Sequence, residues 1–378
     1  MRSSRVFFNI CLFIGAVLAS FALVEVGLRI LGIHYPAFYI VDSKRGYGLR
    51  PNARGLYSRE GQALVEINEA GFRGSLPSSE LSDSVYRIAV LGDSFTEGLQ
   101  VDEDETWIKV LEKQLNMFSS CSILNYRNAE VLNFGVGGYG TGQSLLTWRY
   151  QASKFRPDLV ILAVYPGNDF SDNEPNSRDD RPTFRISSQG LLEQDDSFKL
   201  SKGYLFRTSI VGRVLDQFVN HSRFLQLLNE SKNRVAAFRR SPNSSQSDSL
   251  SVAPSPPPNA SPNAWILTEA LIMQLNRDVQ ASGARLLVVS TSSPDQVWPI
   301  ASQRSSDPFL QERRLADFLA SENIPYLSLG PLLQHEVDQA PGRLFLHGFH
   351  ETSLGLGHWN SSGHNAAARI ISPWLCQQ

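Results

Sequence analysis

Between residues 86 and 165 three short apolar runs, "YRIAVLGD" (86–93), "EVLNFGV" (130–136) and "DLVILAVY" (158–165), alternate with segments of helical periodicity. A short apolar run ended by turn residues reads as a buried strand. Between the runs, "TWIKVLEKQLNMF" (106–118) puts Trp107, Val110, Leu111, Leu115 and Phe118 at helical spacing, and "GQSLLTWRYQASKF" (142–155) is the next helix. The alternation resumes with a helix over 265–283 stopped by Gly283, a strand over 284–291 and a helix over 309–323. A short strand, "IPYLSLG", and a last helix from about Ser361 to Leu375 complete it. Parallel strands need crossover connections, so the pattern predicts an α/β chain, three layers α/β/α around a central parallel sheet. Chemistry in such sheets sits beyond the carboxyl ends of the strands.

The N-terminus is a separate element. Arg2 and Arg5 precede "VFFNICLFIGAVLASFALV" (6–24), which carries no charge. Nineteen residues in a helix span roughly the ~30 Å hydrocarbon core of a bilayer, which predicts an uncleaved membrane anchor within residues 1–32. Cleavage after Ala22, where Ser20-Phe21-Ala22 fits a small-x-small site, is the alternative. The arginines hold the short N-terminal side in the cytoplasm, which predicts a single-pass protein whose main domain is periplasmic or extracellular. Residues 33–82, with a turn at "INEAGFRG" around Gly71 and Gly74, read as a juxtamembrane segment packed partly on a main domain over 83–378. Residues 170–262 interrupt that domain as an insertion, helical over 203–239. Its Pro- and Ser-rich end, 241–263, has too few apolar side chains to order itself.

Lys and Arg total 35 against 37 Asp and Glu, and no basic stripe carries interleaved aromatics, which argues against a nucleic-acid partner. Three cysteines are too few for a disulfide scaffold or a Cys-based zinc site. Cys121 and Cys376 could pair outside the cytoplasm, but spacing does not show it, and free thiols are the default expectation. His347 and His350, with Glu351 beside them, have a spacing open to a metal, yet loop histidines near a site are commoner than metal centres; no metal and no cofactor are expected. "GVGGYG" lacks the spacing and the acidic partner of a dinucleotide fingerprint.

Three motifs end the first three strands: Gly92-Asp93-Ser94, "NFGVGGYG" and "PGND". Each alone suits a turn, since Asp and Ser cap helices, glycine permits positive φ, and Gly-Asn-Asp is ordinary turn composition. Together they bring to one sheet edge a hydroxyl, an unobstructed backbone amide and a carboxamide donor. Acyl transfer requires such a set: an activated nucleophile with donors aimed at an oxyanion. A general base is then needed. Of the histidines in "GHWNSSGHNAAARII", His358 lies in a loop before a helix capped by Asn360 or Ser361, where it can reach Ser94. His364 falls in the first helical turn, a packing or capping position.

With "GDSFTEG", "GVGGYG", "YPGND" and "GHWN" in this order, the chain resembles the SGNH hydrolases, the GDSL-like lipase/esterase superfamily, over about 83–168 and 284–375. The resemblance implies a flavodoxin-like sheet, with Ser94 as nucleophile and His358 as base. It implies an oxyanion hole from the amides of Ser94 and Gly138 (Gly137 being the neighbouring candidate) and the side chain of Asn168. The anchor with "GFRG" downstream is similar to a membrane-tethered bacterial branch. One position departs: the acid usual three residues before the catalytic histidine is Gly355 here. A backbone carbonyl could orient His358, or an acid from elsewhere, Glu351 or Asp295, or the protein could be a non-catalytic glycan-binding relative. The expected activity is hydrolysis of an acyl or O-acetyl ester on a glycan or lipid, with O-acyl transfer to a cell-surface glycan as the alternative.

Overall fold

The computed structural model describes residues 2–77, 84–118, 121–174, 179–240 and 260–378. It opens with α1 (Arg2–Ile30), followed by two antiparallel hairpins, β1 (Tyr39–Asp42) with β2 (Gly46–Leu49) and β3 (Arg54–Tyr57) with β4 (Ala63–Glu66). The α/β core then runs β5 (Val85–Leu91), α2 (Ser94–Glu97), α3 (Trp107–Met117), β6 (Asn128–Asn133), α4 (Thr141–Tyr150) and β7 (Leu159–Val164). The insertion holds a hairpin, β8 (Thr183–Ile186) with β9 (Leu192–Asp195), and α5 (Lys202–Thr208), α6 (Ile210–His221) and α7 (Arg223–Arg240). The core resumes with α8 (Pro262–Ala281), β10 (Arg285–Ser290), α9 (Leu310–Ser321), β11 (Tyr326–Ser328), α10 (Leu329–Gln339) and α11 (Ser361–Leu375).

The five core strands form one parallel sheet in the order β11-β10-β7-β5-β6. Side chains alternate between two cores, as the period of a strand requires. Ile88, Val90, Leu159, Ile161 and Val289 meet α3, α10 and α11 on one face, and Ala89, Leu91, Val160, Leu162 and Val288 meet α4, α8 and α9 on the other. Burial on both faces explains why these strands read as continuous apolar runs. A third cluster joins the N-terminal hairpins to the sheet edge: Leu49, Ala63, Val65 and Ile67 pack with Leu99, Val136 and Tyr139. Residues 33–77 thus lie against the loops that follow β5 and β6.

The helical stretch expected over 203–239 is three helices. Ser209 and Ser222 break it by accepting from the backbone N–H of Gly212 (3.0 Å) and Leu225 (3.2 Å), each starting a new helix as an N-cap. Most of 241–263, expected to be disordered, lies outside the described residues. In α1, the 26 residues Arg5–Ile30 are long and apolar enough to cross a membrane; a signal sequence passes the same test.

Free thiols are not what the structure holds at two of the three cysteines. Cys121 and Cys376, 255 residues apart, form a disulfide that ties the turn before β6 to the end of α11. A cross-link closing so long a loop stabilises by about 2–4 kcal/mol. The double substitution Cys121→Ala and Cys376→Ala should lower Tm by roughly 5–10 °C in a calorimetric scan of the detergent-solubilised chain. An unchanged Tm would show that the bond contributes nothing to the native state.

Candidate active site

The N-cap of the short helix α2 is Asp93, whose carboxylate accepts the Phe95 N–H at 2.9 Å. Ser94 is therefore the first helical residue, and its hydroxyl is not spent on capping. The carbonyl end of α2 is held by Arg73 of the "GFRG" turn. Its buried guanidinium donates to the carbonyls of Glu97 (3.2 Å), Gly98 and Val101 (2.7 Å). Burial pushes Arg73 down to about 10, so it remains charged at neutral pH.

His358 Nε2 lies 2.8 Å from Ser94 Oγ. On the opposite side of the ring, His358 Nδ1 lies 2.5 Å from Glu60 Oε2, and the His358 backbone N–H donates to Glu60 Oε1 at 2.6 Å. Glu60 comes from the turn between β3 and β4. The acid partner of His358 is thus neither Glu351, which is exposed, nor Asp295, whose carboxylate accepts from Ser293 Oγ at 2.6 Å. Gly355 explains why no acid stands three residues before the histidine. Its φ is +85°, and a Cβ there would meet Trp298 at 2.6 Å and Phe345 at 2.8 Å. Gly357 (φ +79°) leaves the space that Glu60 fills, since a Cβ on it would stand 2.1 Å from Glu60 Oε1.

The histidine loop is fixed from below. The Gly348 N–H donates to the His358 carbonyl at 2.8 Å, and Asn360 caps α11 through the Gly363 N–H at 3.1 Å. His347, completely buried, spans Gly357 O (2.8 Å from Nδ1) and Ser292 Oγ (3.2 Å from Nε2), and burial pushes it down to about 4. Both its nitrogens face protein partners, while His350 is exposed. His364 accepts the Trp107 N–H at 3.2 Å through Nδ1, capping α3, and burial holds it neutral, down to about 3. Phe95 lies 5.2 Å from the His358 ring and 5.2 Å from Trp359, closing the apolar side.

Burial by itself would lower the His358 pKa, but the hydrogen bond and charge of Glu60, with Asp93 and Glu97 beyond, raise it above its ordinary value. Burial opposes ionisation of Glu60 too, yet its bonds to His358 bring it below the usual carboxylate range. Two other acids under the site go the opposite way. Burial pushes Asp93 up to about 6 and Asp169 well above its ordinary range, where the Asp93 charge adds to burial.

Ser94, Gly138 and Asn168 follow β5, β6 and β7, three adjacent strands, and so share one sheet edge. Gly138 has φ +75°, and its carbonyl accepts from Arg181. Asn168 Nδ2 donates to Asp172 at 2.6 Å, which uses one of its two amide hydrogens and fixes the direction of the other. Glu97, buried and pushed up to about 7 by that burial, takes the Tyr39 hydroxyl at 2.8 Å and braces the glycine turn. Among the described residues, no group of three or more His, Cys, Asp and Glu could hold a metal ion.

Residue 60 has no sequence signal of its own. It stands 298 positions from the histidine, in a hairpin turn whose flanking strands are four residues long.

No curated protein matches the sequence. Among solved structures, TesA is 13% identical, covering 77% of this chain and 98% of its own, at a TM-score of 0.39. The acetyl xylan esterase AlAXEase is 11% identical over 76% of this chain and 98% of its own, at 0.39. A variant of Axe2, an acetyl xylan esterase from Geobacillus stearothermophilus, is 10% identical over 77% and 94%, at 0.40. The profile of the GDSL-like lipase/acylhydrolase family matches residues 90–366, from the strand before Ser94 to the helix after His358. The chain belongs to the GDSL-like lipase/acylhydrolase family and is a serine hydrolase of ester bonds.

Proposed function

We propose that the protein is an extracytoplasmic serine esterase, held at a membrane by α1, that works through a Ser94–His358–Glu60 triad. The observation that carries this reading is the continuous hydrogen-bonded line from Ser94 Oγ through both imidazole nitrogens to Glu60, 2.8 Å and 2.5 Å. Ser94 Oγ attacks the ester carbonyl while His358 Nε2 takes its proton. Glu60 fixes the tautomer with hydrogen on Nδ1 and stabilises the imidazolium that forms. The backbone N–H groups of Ser94 and Gly138 and the free Nδ2 hydrogen of Asn168 hold the oxyanion, where one donor is worth about 3–4 kcal/mol. His358 returns the proton to the leaving alcohol, and water, deprotonated by the same nitrogen, releases the acid.

The Cys121–Cys376 disulfide supports a location outside the cytoplasm, because such bonds persist in oxidising compartments. The arginines before α1 support the same orientation. Glu60 beside His358 supports catalysis over the non-catalytic relative that Gly355 leaves open. The substrate is an acyl or O-acetyl ester carried on a glycan or a lipid, and a panel of such esters is the chemistry to assay.

Ser94→Ala should lower kcat for p-nitrophenyl acetate by on the order of 10⁴-fold or more and abolish labelling by a fluorophosphonate probe. Undiminished hydrolysis by this variant would exclude Ser94 as the nucleophile. The pH profile checks Glu60. His358 must be neutral to act, so kcat/KM falls as pH drops through its raised pKa, giving an acid limb above about 6.5. In Glu60→Gln the raising charge is gone and burial is left, so the limb should move to lower pH while kcat drops roughly 10²–10⁴-fold. A limb that stays in place would mean that Glu60 does not set the basicity of His358.

A further inference from the structure

Helix α6 turns its polar side to the protein and its apolar side outward. Asp216 accepts from Arg50 at 2.7 Å and Asn220 from the Ala37 N–H at 3.1 Å, both against the N-terminal segment. On the opposite face Ile210, Val211, Val214, Leu215 and Phe218 recur at one-face helical spacing, and Phe206 of α5 continues the strip. Ile210 is 74% exposed, Phe218 66% and Phe206 55%. An apolar strip of this extent does not persist against water without a partner.

The position of α6 identifies that partner. Its C-terminal end is fastened to the last turns of α1: Arg29 donates to the His221 carbonyl at 2.7 Å. Glu25 accepts from Ser222 Oγ (3.0 Å) and from the N–H groups of Arg223 (3.1 Å) and Phe224 (3.1 Å), capping α7, and Phe21 meets Phe224 edge-on at 4.9 Å. The apolar strip therefore begins where α1 emerges. Exposed Lys202, Arg207 and Arg213 lie on the same two helices, Arg207 and Arg213 at the rim of the cavity beneath α6, and their charge suits anionic headgroups.

We infer that α5 and α6 seat on the bilayer that α1 crosses, with the Phe206–Phe218 strip sunk into the outer headgroup region as an interfacial helix. This rests on reading α1 as a membrane span. The inner side of α6 roofs a cavity of about 510 Å³ bounded by Tyr39, Tyr47 and Asp216. Tyr47 donates to the Gly137 carbonyl at 2.9 Å, so the seated helix brings the lipid surface within one structural layer of the glycine turn.

The test uses the full chain carrying Cys11→Ser in vesicles of phosphatidylcholine and phosphatidylglycerol. One reporter cysteine at a time is added by Phe218→Cys, Ile14→Cys or Tyr126→Cys and labelled with the environment-sensitive fluorophore NBD. Retained ester hydrolysis shows that each variant is folded. The label from Phe218→Cys should be quenched severalfold more by doxyl-labelled lipid, and severalfold less by aqueous iodide, than that from Tyr126→Cys, a fully exposed site. Equal iodide quenching at the two positions overturns the inference. So does shielding from iodide without quenching by doxyl lipid, which would mean that a second copy covers the strip. Ile14→Cys reads the span independently. Lipid quenching there but not from Phe218→Cys refutes the seated helix and leaves the anchor standing, whereas iodide access from Ile14→Cys refutes the anchor.

Discussion

The hydrogen bond between Glu60 and His358 is the contact on which the rest of the site depends. It joins a hairpin near the start of the chain to a loop near its other end, and both ends of the carboxylate are used, one on the ring and one on the backbone N–H. Much of the surrounding architecture exists to let these two segments meet. Gly357 leaves the space, the His347 bridge fixes the loop, and the cluster of Leu49, Val65, Leu99 and Val136 holds the hairpins against the sheet edge. The three histidines are treated differently: a carboxylate raises the pKa of His358, while His347 in the same loop and His364 in α11 are kept neutral by burial.

The same contact gives residues 33–77 their meaning. As a stalk they would only set the distance from the membrane. Docked as they are, they supply the Glu60 carboxylate beside His358, the Tyr39 and Tyr47 hydroxyls that brace the glycine turn, and Arg73, which closes the helix that begins with Ser94. Helix α1 and the insertion then meet through Glu25 and Arg29, so the segment connecting α1 to the sheet is fixed at both ends.

The sheet was legible in the sequence because strands buried on both faces leave an unmistakable apolar run, and because turn residues close each one. α11 was legible from about Ser361, with the cap open between Asn360 and Ser361, because a cap residue precedes an amphipathic pattern; the structure places the cap at Asn360. The pairing of Ser94 with His358 was legible from motif order. Glu60 was not, because a hairpin of four-residue strands has too little periodicity to register, and an acid in a turn looks like every other solvated acid. Gly355 left open a backbone carbonyl, an acid from elsewhere or a non-catalytic relative. Only the steric map around Gly355 and Gly357 shows why the substitute comes from so far away. The breaks at Ser209 and Ser222 were present as N-cap residues but hidden inside a continuous amphipathic stretch. The disulfide depends on two segments converging in space, which spacing alone does not encode.

The order of these residues along the chain also sets a schedule. A polypeptide synthesised N-terminus first presents the Glu60 carboxylate early, then Ser94, and must add a further 264 residues before the imidazole that hydrogen-bonds Ser94 arrives. Until then the hydroxyl is an ordinary alcohol. The 2.8 Å contact between Ser94 Oγ and His358 Nε2 can therefore form only once nearly all of the fold has been made.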